Sequence, residues 1–324
     1  MKVIKEVVGI DVAKDELVFR LGTKFENSET LFSQDLIVEN NLNGFKILLK
    51  KVESLSKSKV KFVMEATGSY QEKLAFYLIS KKQDLSIVLA SRAKAYGRSL
   101  EFKSKTDKID AKILAMMGLE RALIPWEAPS PLMIELKAMT RLRKSFVDTK
   151  VEYQNKLHAK EVGYSVNQNI KKHLRKMIEH FNKEITKIEE SILKLVKSDS
   201  EIYDNIRRVS GIKGVGEMSL IIIIAETDCF KLFSSMKQVA SYSGLDVVLS
   251  ESGKKARKSK ISKKGNKYIR TALFMCALSA SRYNKQMKQF KDRINERNSI
   301  KKVAITAISR KLLTLIYTIW ISGE

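Results

Sequence analysis

All three prolines of this 324-residue chain fall in one short stretch, Pro125-Trp-Glu-Ala-Pro-Ser-Pro131. Proline lacks a backbone donor and fixes φ, so such a cluster ends one helix and starts another while belonging to neither. Everything on either side can run as regular structure without interruption by proline. The cluster therefore marks a domain boundary. The expected organisation is an N-terminal domain over 1–124, the boundary and a long helical arm over 125–200, and a C-terminal domain over 201–324. The length exceeds that of one ordinary domain, and 44% hydrophobic residues supply apolar surface for real cores.

Ahead of the prolines, residues 3–12 read as a strand rich in branched side chains, and 16–22 and 30–38 as two more. Three consecutive strands predict an antiparallel meander. Period-two alternation puts Val7, Gly9 and Asp11 on one face of the first strand and Val8, Ile10 and Val12 on the other, leaving Asp11 in apolar company. A helix over 41–54 precedes an apolar strand over 60–67 whose only acid is Glu65. Gly68 turns the chain into a helix over 70–82, and a strand over 85–90 follows. Basic residues Arg92, Lys94, Arg98, Lys103 and Lys105 then lead to a helix bearing Asp107 and Asp110. The order βββ-α-β-α-β-α is that of an α/β ribonuclease-H-like sheet, in which parallel strands extend a meander through right-handed crossovers.

Asp107 and Asp110 are spaced i, i+3 and share one helix face. Two carboxylates on one face repel unless a cation lies between them, so the spacing calls for partner acids and a divalent metal. Each acid has a bland explanation by itself. Ser104 and Asp107 fit a Ser-x-x-Asp capping pattern, Asp11 a strand-end turn and Glu65 a helix entry. Together they are harder to dismiss, because carboxylates in strands are costly unless compensated and all four fall where they could converge on one side of the sheet.

Beyond the prolines, 132–157 and 169–196 are heavily charged with apolar residues at helical spacing, among them Ile178, Phe181, Ile185, Ile188 and Ile192. With a bend at Gly163-Tyr-Ser-Val-Asn they predict an antiparallel helical hairpin, either paired with another subunit as a coiled coil or kept as an intrachain arm. His158, His173 and His180 lack the i, i+4 spacing of helical metal ligands and read as surface residues. Residues 206–220 read as a helix-hairpin-helix. Its Gly214 and Gly216 would let the backbone approach a phosphate at the following helix's N-terminus, the alternative being an ordinary tight turn. From Ser252 to Arg270 there are nine basic residues and no acid: Lys254, Lys255, Arg257, Lys258, Lys260, Lys263, Lys264, Lys267 and Arg270. Phosphate binding explains that run better than a solvated loop. A final amphipathic helix over 303–321 should pack back on this domain.

The charge points the same way. An excess of 61 Lys and Arg over 36 Asp and Glu gives +25, which opposes compact folding unless polyanions neutralise it. No charge-free apolar run of about 20 residues exists to span a membrane. The first apolar residues are broken by Lys5, Glu6 and Asp11, so no signal peptide is expected. Cys229 and Cys276 form neither a disulfide framework nor a zinc pattern. The expected setting is a reducing cytoplasm, with no membrane partner.

Gly-Ile-Asp-Val-Ala-Lys at 9–14, Met-Glu-Ala-Thr-Gly at 64–68 and Lys-Thr-Asp-Lys-Ile-Asp-Ala at 105–111 together resemble the IS110 insertion-sequence transposases, RNA-guided recombinases with a RuvC-like Asp-Glu-Asp-Asp domain. Ile-Ser-Lys-Lys-Gly-Asn-Lys-Tyr-Ile-Arg at 261–270 resembles their C-terminal transposase domain. The chain departs from that pattern at Asp246-Val247, where relatives often carry a proline. The resemblance implies that Asp11, Glu65, Asp107 and Asp110 are catalytic and bind metal, two Mg²⁺ per site with Mn²⁺ as substitute. It implies a nucleophilic serine, and Ser252 falls on the family's serine-glycine pair, with Ser250 the alternative. It also implies double-stranded DNA and a structured guide RNA as partners of a homo-oligomer, dimer or tetramer. From the residues alone, a junction-resolving nuclease that hydrolyses DNA and a non-catalytic nucleic-acid scaffold stay open.

Overall fold

A computed structural model describes residues 2–66, 68–100, 107–164, 167–231, 233–248, 251–252, 255–256, 260–297 and 300–323, without the side chains of 107, 108, 251, 252, 255 and 256. The chain forms two compact units, Met1–Ala128 and Pro129–Glu324.

In the first unit, β1 (Val3–Val12) runs antiparallel to β2 (Glu16–Phe25), with Val8 opposite Leu21 and Ile10 opposite Phe19. The third strand expected over 30–38 is two short ones, β3 (Thr30–Phe32) and β4 (Leu36–Glu39), both antiparallel to β2. Asp35 in the gap is held by Arg20 of β2, Nε to Oδ1 at 2.7 Å, which pins the interruption. There follow α1 (Leu42–Leu55), β5 (Val60–Glu65), α2 (Glu72–Ser80), β6 (Asp84–Val88), α3 (Ala90–Ser99) and α4 (Asp107–Glu120). β5 pairs parallel with β1, and β6 parallel with β5, giving the order β3-β2-β1-β5-β6. This is the meander-plus-parallel sheet that the element order predicts.

Both faces of the sheet are covered. Val8, Ile10, Phe19, Phe62 and Met64 pack against Phe45 and Leu48 of α1 and Leu74 and Leu78 of α2. Val7, Val63 and Val88 pack on the opposite face against Ala93 and Tyr96 of α3 and Ile113, Leu114 and Met117 of α4. Strands buried on two sides carry near-continuous apolar runs, as β1 and β5 do. Full burial of a side chain such as Phe62 or Ile10 contributes about 1.5–3 kcal/mol.

In the second unit, Ser130 caps α5 (Pro131–Val162) by accepting from Met133 N at 3.3 Å, and Pro131 occupies its first turn. Its partner is α6 (Gln168–Lys197). Arg143 bonds Glu189 at 2.6 Å and Arg175 bonds Glu161 at 2.8 Å, so the two helices run antiparallel as the expected hairpin. Next come α7 (Ser200–Ser210), α8 (Glu217–Thr227) and α9 (Met236–Ser243), then the short strands β7 (Val247–Val248), β8 (Glu251–Ser252), β9 (Lys255–Ala256) and β10 (Lys260–Ile261). The chain closes with α10 (Lys267–Tyr283), α11 (Lys285–Arg297) and α12 (Lys301–Ser322). One core joins Met133, Leu136, Ile192 and Val196 of the hairpin's base to Leu220, Ile224, Leu273, Ile308 and Leu312. By length and composition alone α12 could cross a membrane. Its Ile308, Leu312, Leu313 and Ile316 are instead fully buried in this core, as expected of a helix that packs back.

Candidate active site and nucleic-acid interface

The parallel register pairs Gly9 with Val63 and Ile10 with Met64, so Asp11 and Glu65 are the next residues along two adjacent strands. Alternation puts both on the face covered by α4, with Val7 and Val63 behind them. α4 comes down on that face almost to backbone contact. A Cβ built on Gly9 would stand 2.1 Å from the Ala111 carbonyl oxygen and 2.3 Å from Ala115 N, and one on Gly118 would stand 2.5 Å from Val7 Cγ1. The N-terminal end of α4 therefore lies toward the C-terminal end of β1. Asp110, which precedes Ala111, shares that end of the sheet with Asp11 and Glu65, and all three are half-buried. Asp107 opens the helix.

The loops behind these acids are stitched together by Asn40, a residue that no motif in the sequence singles out. Asn40 Nδ2 donates to the carbonyls of Ala13 at 2.8 Å and Tyr70 at 3.2 Å, tying the exit of β1 to the segment after β5. Its only sequence signal is a place beside Asn41, the N-cap of α1. Gly68 has φ +92, which explains a glycine at the turn after Glu65.

Donors that are all carboxylate oxygens suit a hard divalent cation, and the three elements that carry them meet at one end of the sheet. Among the described residues no three of His, Cys, Asp or Glu stand close enough to hold an ion, and the Asp107 side chain lies outside that set.

The basic residues divide. Arg92, Lys94 and Arg98 are exposed along α3, a helix where the sequence predicts only a basic connector, built by Ala93, Tyr96 and Gly97 at core-facing spacing. Lys260, Lys263, Lys264 and Lys267 are exposed too. Arg270 is occupied otherwise, its Nη1 donating to the Ser243 carbonyl at 2.9 Å. Within the basic run, Val248 pairs with Lys260 and Val247 with Ile261 in a two-stranded ribbon, and Ser252 pairs with Lys255 in a second. Lys103, Lys105, Ser250, Lys254, Arg257 and Lys258 lie outside the described residues. Gly214 has φ +100, and a Cβ there would stand 2.5 Å from Ala280 N, so packing against α10 accounts for that glycine. Gly216 is exposed with open space beside it, at the N-cap of α8. His158, His173 and His180 are all exposed, as expected.

Residues 8–161 match a family model described as a transposase, and residues 206–292 one described as the transposase IS116/IS110/IS902 family. The chain is 30% identical over 322 residues to the pilin gene-inverting protein of Moraxella bovis, covering 97% of this chain and 95% of that one. It is 31% identical over 320 residues to the pilin gene-inverting protein of Moraxella lacunata, with the same coverage. A solved structure of T. thermophilus RuvC in complex with a Holliday junction substrate is similar over 37% of this chain and 99% of its own, at 12% identity and a TM-score of 0.28. The sequence matches place the chain among transposases, enzymes that recombine DNA, and it belongs to the IS110 family.

Proposed function

We propose that this transposase cuts and rejoins double-stranded DNA of a mobile element at sites chosen by a structured RNA, using Asp11, Glu65, Asp107 and Asp110 as metal-binding acids and Ser252 as nucleophile. The observation that carries the reading is the meeting of β1, β5 and α4 at one end of the sheet, made possible by Gly9. The carboxylates would hold two Mg²⁺, or Mn²⁺ in its place, and a bound pair stabilises the entering and leaving oxygens of a phosphodiester.

Four acids suffice for hydrolysis by water, but hydrolysis conserves no bond for rejoining. A covalent serine phosphodiester does. In that step the Ser252 Oγ–phosphorus bond forms as the phosphorus–oxygen bond to one DNA strand breaks. The serine proton passes to a carboxylate and the departing strand oxygen takes a proton from solvent. Attack by a new strand's hydroxyl reverses the exchange and frees the serine. The exposed lysines of the ribbon hold phosphates nearby, and in a homo-oligomer Ser252 of one copy can serve the acids of another. The two Moraxella relatives are named for gene inversion, and inversion is one outcome of such cutting and rejoining.

The test is to incubate full-length protein and its co-purified RNA with plasmid carrying element ends in Mg²⁺. Sealed recombinants and a protease-sensitive adduct that maps to Ser252 are expected. Adduct-free, unsealed cuts would return the protein to a hydrolytic nuclease.

A further inference from the structure

The foot of the ribbon is tied to the helical arm through a buried carboxylate. Glu226, in the last turn of α8, is 3% exposed. Its Oε1 accepts from Arg141 Nε of α5 at 2.7 Å and its Oε2 from Arg141 Nη2 at 2.9 Å, with Lys137 Nζ of the same helix 3.8 Å away. Oε2 also accepts from Asn266 Nδ2 at 2.7 Å. Asn266 is the N-cap of α10, its Oδ1 accepting from Tyr268 N at 2.9 Å and Ile269 N at 3.2 Å. Its backbone N donates to the Tyr242 carbonyl at 2.8 Å, while the Tyr242 hydroxyl donates to the Glu226 carbonyl at 3.1 Å. Arg141 lies over the Tyr268 ring at 4.8 Å, which closes the circuit.

The same foot is pinched. A Cβ on Gly265 would stand 2.4 Å from the Tyr242 carbonyl oxygen and 2.5 Å from Gly244 N. Gly244 itself has φ +67. Lys263 N to Gly244 O at 3.1 Å and Ser262 N to Asp246 O at 2.9 Å bind the two sides of the ribbon to each other. The foot thus has one register, and Asn266 is the residue that fixes this register to α5 through Glu226.

We propose that Glu226 is a positioning residue: through Asn266 it holds the ribbon in a fixed attitude to the arm, so that the serine loop is presented in one place. The inference rests on the reading of Ser252 as nucleophile. A buried ion pair is weak evidence for stability, since apolar residues of similar volume often serve as well. What the carboxylate adds is direction, because a two-pronged guanidinium contact and a charge-assisted amide bond allow one geometry. The contact acts through the loop and touches no reacting atom.

Asn266→Ser tests it in the full-length protein, because serine still caps a helix while losing the amide that reaches Glu226. Amide hydrogen exchange at 244–248 and 260–266 should speed up about tenfold, and adduct formation on element-end DNA should fall about tenfold, the scale of one missing bond to a charged group. DNA affinity and melting temperature should stay near those of the parent, which a loss of fold would not allow. Should Asn266→Ser not fold, Asn266→Thr also offers a capping hydroxyl without the amide, with the same expected changes. Unchanged exchange, or unchanged adduct yield at Ser252, overturns the proposal. A parent adduct mapping to another residue defeats the nucleophile reading instead, while the exchange measurement still decides the link.

Discussion

Gly9 of β1 and Ala111 of α4 are in backbone contact, so close that a Cβ on Gly9 would stand 2.1 Å from the Ala111 carbonyl oxygen. The residue after Gly9 but one is Asp11, and the residue before Ala111 is Asp110. The distance between two of the proposed metal-binding acids is therefore set by a glycine that itself carries no chemistry.

Gly9→Val should lift α4 from the sheet. Overpacking of this kind costs about 1–3 kcal/mol, and a lower melting temperature would show it. Metal-dependent DNA cleavage should fall much further than stability, with DNA binding retained. Full cleavage by a destabilised Gly9→Val would show that the helix position does not govern the acids.

The exposed lysines of the ribbon, of its foot and of the first turn of α10 should act through charge. Replacing Lys260, Lys263, Lys264 and Lys267 with Ala should weaken DNA binding and flatten its salt dependence, by about 0.9 in the log–log slope for each phosphate no longer neutralised. Arg270→Ala should behave differently, loosening the foot of the ribbon by breaking its bond to Ser243 with little change in salt slope. An equal slope change for Arg270 would place it among the phosphate-binding residues after all.

Cys229 should be inert. Burial, aided by Asp228, pushes its thiol from an ordinary 9.0 up to about 12. Alkylation of the folded protein at pH 8 should be far slower than after unfolding, since the thiolate is the nucleophile. The folded state keeps a proton that the unfolded chain releases above pH 9.0. Its contribution to stability is full below that pH and is lost as pH rises toward 12. Urea melts of Cys229→Ala and parent should thus converge across that window.

Much of this was legible in the sequence because its signals are local. Branched, apolar strands and helical spacing give the order of the sheet, and Asp11, Glu65 and Asp110 fall on the elements expected of them. The third strand breaks at Asp35 because Arg20, a distant partner in sequence, captures it. α3 hides among basic residues because Tyr96 is the one large side chain among its core-facing positions, the others being the small Ala93 and Gly97, which gives weak apolar periodicity. Gly214 and Arg270 resemble nucleic-acid contacts by composition, but each is used by packing or by a bond to an element far along the chain. Asn40 and Glu226 act through tertiary partners alone, and no spacing rule marks them.

The most direct measurement of the acidic site is Mn²⁺ binding to the full-length protein, followed by the paramagnetic resonance signal of the free ion. The parent should take up Mn²⁺, while Asp11→Asn and Asp110→Asn each lose most of that binding and keep their affinity for DNA in metal-free buffer. Titrations of both variants that overlay the parent would contradict a metal site at the meeting of β1, β5 and α4.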